Sequence, residues 1–229
     1  MQTKEVIEAL TRAAKSIYEA NTRTVYHNWK HAKRVRKHAL RLYGAQSGNT
    51  ENDKIIISIA AAWHDAYYVL HAKASSNEEA SATLLRGAWA TLSEKVSNRE
   101  ERGILDYLVS AAAEHILATS VNMHLISERV HVSSLRSLLD ADLRSLAYPY
   151  ARFVKYQHKI ILENGGDISS LESHSRVAEF LSKFLTCRVF IYHTDEARAI
   201  WEVQARSNIQ TYAKHVDSFR KQLIEHCHK

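Results

Sequence analysis

The chain has 229 residues and a mass of 26.1 kDa, with 45% apolar and 24% charged residues. That balance suits one large or two small globular domains and excludes disorder, a collagen repeat and a disulfide scaffold. Six glycines and one proline argue against the many turns of an all-β fold. The 31 basic against 25 acidic residues give +6 and a pI near 9.2, which suits phosphorylated ligands or nucleic acid and equally a solvated surface.

From the N-terminus, Val6, Ile7, Leu10, Ala14, Ile17 and Tyr18 recur at steps of three and four, which predicts an amphipathic helix. The opening MQTKEVIEAL places Lys4, Glu5 and Glu8 where a signal peptide needs an uninterrupted apolar run. Further helices are predicted at 28–43, 52–68, 77–92, 99–118, 133–147, 150–164, 174–186 and 195–226. Their ends carry matching signals: a capping box in Ser76-Asn77-Glu78-Glu79, Pro149 at a start, Gly165-Gly166 after an end, and Thr194-Asp195-Glu196 opening the last helix.

The most apolar run, Ile55 to Trp63 (IIISIAAAW), is far shorter than the roughly 18 residues of a membrane span. The expectation is a soluble cytoplasmic protein with no membrane partner. Cys187 and Cys227 have no metal-like spacing and read as reduced thiols. No linker or repeat divides the chain, so one all-α domain over 1–229 is expected. Its long final helix carries Ile200, Trp201, Ile209, Tyr212, Val216, Phe219 and Leu223 over many turns. Packing on the same chain and self-association as a homo-oligomer both account for that stripe.

Four residues with metal-ligating chemistry fall on three of these helices: His31 on the second, His64 and Asp65 near the end of the third, and Asp142 on SSLRSLLDADLRSLA. The His64-Asp65 pair directly follows AAAW, and Asp140 and Asp142 are interleaved with Leu138, Leu139 and Leu143. Some of these polar groups must therefore face the interior, where ligation or pairing offsets their desolvation.

Five segments occur in order: YHNWKH (Tyr26 to His31), WHDAYY (Trp63 to Tyr68), NEEASA (Asn77 to Ala82), ILATS (Ile116 to Ser120) and LLDADLRSLA (Leu138 to Ala147). Together they resemble the HD superfamily, in particular the small bacterial subfamily described as predicted metal-dependent HD phosphohydrolases. A later segment, RVFIYHTDEARAIWEVQARSNI, is similar to that subfamily's C-terminal helix, so the resemblance covers about 26 to 210. It implies a single HD-domain helical bundle, with the core at about 26–147 and a helical extension at about 148–229.

The resemblance also implies that His31, His64, Asp65 and Asp142 bind a divalent metal ion, with Asp140 as a substitute for Asp142. Two imidazoles and two carboxylates suit Mn²⁺, Fe²⁺, Ni²⁺, Zn²⁺ or Mg²⁺ and leave room for water and a substrate oxygen. Glu79, or its neighbour Glu78, matches the acidic pair of the third motif and is a candidate to position the attacking water or act as base, alongside Asp65. His27, Asn28 and Asp140 are candidates to orient the ligands. Lys30, Arg34 and Lys73 are candidates for substrate phosphate.

His115 and His124 flank the fourth motif and are candidates for substrate contact or a second metal. The subfamily's histidine after ILAT is replaced here by Asn122, and Ala80 replaces an Arg usual in NEERSA. Tyr67, Tyr68 and Trp29 read as core residues or as platforms for a base.

The expected activity is metal-dependent hydrolysis of a small phosphorylated substrate, a nucleotide among the candidates, through a metal-activated water. A non-catalytic nucleotide- or partner-binding module and a diiron oxygenase on the same fold are the alternatives. No reader motif for sequence-specific nucleic acid is present.

Overall fold

The computed structural model describes residues 1–69, 76–120, 124–125 and 131–227, with the side chains of the last helix as far as 221. The chain is all-helical, with no strand among the described residues. The helices are α1 (Thr3–Ala20), α2 (Trp29–Gly44), α3 (Glu51–Trp63), α4 (Ser76–Ser93), α5 (Arg99–Leu117), α6 (Ser133–Asp142), α7 (Tyr150–Glu163), α8 (Leu171–Thr186) and α9 (Asp195–Cys227). A 3₁₀ turn, Leu143–Ala147, continues α6. Residue 73, proposed for phosphate, and residue 122 lie outside the described residues, as do most of the loops at 69–76 and 119–132.

Helix α3 organises the first half of the chain. Every residue from Ile56 to Trp63 is buried, because the segment has apolar side chains on all faces and only Ser58 as a polar interruption. A helix without a polar face is stable only when other helices surround it. α1, α2, α4, α5 and α6 all pack against it. His64 and Ala66, just after Trp63, are therefore buried and Asp65 between them half-buried.

The sequence predicts that α3 runs to 68, and the structure ends it at 63. The backbone beyond is held by side chains from other helices. The Asp65 amide donates to Tyr18 Oη at 3.2 Å, and the Tyr67 amide donates to Ser81 Oγ at 3.0 Å. These partners take the place of the i−4 carbonyls that would continue the helix.

Two apolar clusters result. The first joins α1 to α6 around Val6, Leu10, Ile57, Trp63, Leu105 and Leu138. The second joins Tyr26 and Leu42 to Phe153, Phe184, Tyr192 and Trp201. The last helix packs its Trp201, Ile209, Tyr212 and Val216 into that cluster on the same chain, while Ile200 and Phe219 are exposed.

Helix ends follow their sequence signals. Asn28 Oδ1 accepts the Lys30 and His31 amides at 3.0 and 3.2 Å, capping α2. After α7, Gly165 takes φ +69° and the Gly166 amide donates to the Ile161 carbonyl at 2.9 Å, a left-handed termination that suits glycine. The Ala197 amide donates to Thr194 Oγ1 at 3.2 Å, opening α9. α8 starts at 171 rather than 174, because Ser170 supplies its cap. Ser76, expected as the cap of α4, is already helical.

Candidate metal centre

His31 sits in the first turn of capped α2, His64 and Asp65 follow the buried end of α3, and Asp142 ends α6. Because α2 packs on both α3 and α6, the three sources converge. His31, His64 and Asp65 each offer one donor atom within 4.8 Å of one another and form a group that could hold a metal ion. His31 Nε2 lies 3.2 Å from His64 Nε2 and 3.4 Å from Asp65 Oδ2, and His64 Nε2 lies 2.9 Å from Asp65 Oδ2. Asp142 Oδ1 approaches His31 Nε2 at 3.0 Å and His64 Nε2 at 3.7 Å.

These separations match a coordination shell. Donors about 2.1 Å from a common cation stand about 3.0 Å apart at right angles and about 3.4 Å apart at tetrahedral angles. Asp65 Oδ2 is buried and close to both imidazoles, yet its approach to them lacks hydrogen-bond alignment. His64 Nδ1 donates to the Ala61 carbonyl at 3.0 Å, which fixes the ring and leaves Nε2 facing the cluster.

The electrostatics agree with the geometry. Burial alone would lower the proton affinity of His64, but Asp65 and Asp142 outweigh it and hold its pKa well above the ordinary value. Burial would raise the Asp65 and Asp142 carboxyls, and the neighbouring imidazoles hold both well below the carboxylate range. A pair of half-buried carboxylates facing two buried imidazoles is a donor set that favours a cation.

The cluster borders a cavity of about 510 Å³ that Tyr26, His27, Asp65, Glu78, His124 and Asp142 help to line. His124 Nε2 lies 3.4 Å from Asp142 Oδ2, and neither ring nitrogen of His124 has a hydrogen-bond partner among the described residues. His115 does not line the cavity. Its Nε2 meets Ser134 Oγ at 2.9 Å, where α5 faces α6. Lys30 is exposed and also lies outside the lining, whereas half-buried Arg34 stacks over Tyr156 at 5.3 Å beside a narrow cleft that His31 and Asp142 share.

Two sequence expectations need correction. Of the acidic pair on α4, Glu79 is exposed and Glu78 lines the cavity, because successive helical residues are rotated by about 100°. The Glu78 carboxyl is shifted upward, first by burial and then by the charges of Asp65 and Asp142. Asp140 neither substitutes for Asp142 nor supports a ligand: fully buried, it accepts the His193 amide at 2.6 Å and the Thr194 amide and hydroxyl, both at 2.7 Å. One residue further along α6 would have faced elsewhere again, so only Asp142 reaches the cluster.

Sequence reading missed Glu163. Its buried carboxylate accepts the amides of Val25, Tyr26 and His27 and contacts His27 Nδ1 at 2.7 Å, tying the YHN loop to the end of α7. His27 in turn stacks on Tyr68, with ring centroids 4.0 Å apart, so Tyr68 is a wall of the cavity. Trp29 packs against the first apolar cluster, and Tyr67 is exposed. Nothing local marks Glu163, since it ends an ordinary amphipathic helix 136 residues from its partner His27.

Comparison with protein-family models and with curated proteins gave no match to this chain. The likeness to the HD superfamily thus rests on five ordered sequence motifs, and what the fold adds is an all-helical chain with a His/Asp group that could hold a metal ion.

Proposed function

We propose that the protein is a metal-dependent phosphohydrolase acting on a small phosphorylated substrate. The observation that carries the reading is the convergence of His31, His64 and Asp65, joined by Asp142, at the end of a ligand-sized cavity. These four residues would hold the cation. When bound, a divalent ion supplies a Lewis acid for a phosphoryl oxygen and lowers the pKa of water.

The chain's own side chains supply the rest. The backbone tie from Asp65 to Tyr18 and the His64 bond to Ala61 keep the donors fixed before any ion arrives. Glu78, on the cavity wall with its carboxyl shifted upward by burial, is placed to exchange a proton with the attacking water or the leaving oxygen. His124, whose Nε2 lies 3.4 Å from Asp142 Oδ2 without hydrogen-bond alignment, is placed to hydrogen-bond a phosphoryl oxygen. Of the two histidines that the diiron oxygenase reading would use as extra ligands, His115 lies in the α5–α6 contact and His124 lies beside Asp142.

The test pairs elemental analysis with phosphate release from a panel of phosphomonoesters, with Mn²⁺, Ni²⁺ or Mg²⁺ added. One ion per chain and phosphate release are expected. His64→Ala and Asp65→Ala should each abolish both while helix content by circular dichroism is retained, and a variant with full metal stoichiometry would refute the ligand assignment.

A further inference from the structure

The cavity beside the metal centre changes character along its walls. The polar end is built by Asp65, Asp142, Glu78 and His124, whereas Ile160, Ile161, Val177, Leu181 and Phe184 of α7 and α8, with Leu146, supply most of the apolar lining of the remainder. Its volume, about 510 Å³, falls in the roughly 300–1,000 Å³ range of small-molecule sites.

Charge is sparse in this lobe. Among the described lining residues the only lysine or arginine is Arg176, whose side chain is 75% exposed and paired with Glu172. A di- or triphosphate would bring several negative charges into a space with little to meet them, at a high desolvation cost. A single phosphoryl group at the metal centre, followed by an apolar body, fits the walls.

Of the polar groups in this part, Ser145, Asn164 and Ser173 among them, one is buried without a partner. Gln157, on α7, is 2% exposed, and its Nε2 is buried with no hydrogen-bond partner among the described residues. A buried amide donor left unmade is costly in the free protein and is satisfied when a ligand brings an acceptor.

Resting on the phosphohydrolase reading, we infer that the substrate is an amphipathic phosphomonoester: one phosphoryl group at the His31/His64/Asp65/Asp142 end, an apolar body between α7 and α8, and one uncharged oxygen acceptor opposite Gln157. Among the described lining residues nothing but Arg176 offers a second phosphate a cationic side chain, so a monoester fits these walls better than a di- or triphosphate. Gln157 acts as a specificity residue, since a site built to hydrogen-bond an oxygen discriminates against analogues that lack it.

Calorimetric binding of methyl, butyl and octyl phosphate and of adenosine diphosphate to the full chain, with and without Mn²⁺, tests this directly. Affinity should rise about fourfold per methylene up to the length the cavity accepts, with the diphosphate weaker than octyl phosphate. Val177→Trp, which fills the lobe, should remove at least tenfold of the octyl advantage and leave methyl phosphate unchanged, with an unaltered thermal midpoint as the control for folding. In a series of octyl phosphates bearing one keto oxygen at successive carbons, the best isomer should lose about tenfold in Gln157→Leu, while plain octyl phosphate binds that variant at least as tightly as wild type.

A flat series from methyl to octyl, or tighter binding of the diphosphate, overturns the inference. If no keto isomer responds to Gln157→Leu, the acceptor is refuted. A rising series without phosphate release under Mn²⁺, Ni²⁺ or Mg²⁺ refutes the hydrolase reading alone. Phosphate release with a flat series refutes the cavity inference alone.

Discussion

Glu163→Ala would remove an acceptor shared by four donors: the amides of Val25, Tyr26 and His27 and the His27 ring. Val25 is 41% exposed, so water replaces part of the loss. The Tyr26 amide is enclosed and the His27 ring only partly exposed, so each loses about 1–2 kcal/mol. A total near 3 kcal/mol lowers the thermal midpoint by about 6–12 °C, at about 2–4 °C per kcal/mol for a chain of this size. Glu163→Gln keeps an oxygen for the backbone and should cost about 1 kcal/mol.

The effect is also pH-dependent. Burial would raise Glu163, but its bond from His27 holds it below the ordinary glutamate value of 4.5, so its contribution is present above that pH and is lost as pH falls through the lowered pKa. Burial would lower His27, but Asp65 and the Glu163 bond hold it above 6.5, so its contribution is complete below that pH and is lost as pH rises through the raised pKa. The wild type should therefore exceed Glu163→Ala most between about pH 4.5 and 6.5. Denaturant titration across pH 3–9 measures this, and an alanine variant within 2 °C of wild type, or a stability gap that does not change with pH, would refute the reasoning.

Asp140→Ala strips the acceptor from the His193 and Thr194 donors that begin α9 and should cost about 2–4 kcal/mol while metal content by elemental analysis stays at wild-type level, whereas Asp142→Ala should lose the metal; the reverse pattern would restore Asp140 as a ligand. Glu78→Gln should lower kcat/KM for phosphomonoesters at least tenfold and Glu79→Gln should leave it within twofold, which steady-state kinetics will show. Gly87→Ala, inside α4 with nothing within 4 Å of the added Cβ, should raise stability by about 0.5–1 kcal/mol, and Gly165→Ala, equally uncrowded but at φ +69°, should lower it by about 1 kcal/mol, as read by chemical denaturation.

Periodicity alone determined that this chain is a set of helices, because apolar residues at three- and four-residue steps report one buried face whatever lies opposite. The unbroken apolar run of α3 went further and announced a helix surrounded on all sides, which is why His64 and Asp65 were legible as interior groups. Local pattern could not supply rotation and partner. Glu78 and Glu79 are equivalent in sequence, and only the packing of α4 decides which one turns to the cavity. Asp140 and Asp142 both lie on a leucine-rich helix, yet the strap before α9 claims the first and leaves the second for His31. Glu163 and Gln157 carry no local mark, since their roles come from backbone amides and cavity walls contributed by distant segments. Those are contacts of long sequence separation, and they exist only once the two apolar clusters have closed around the end of α3.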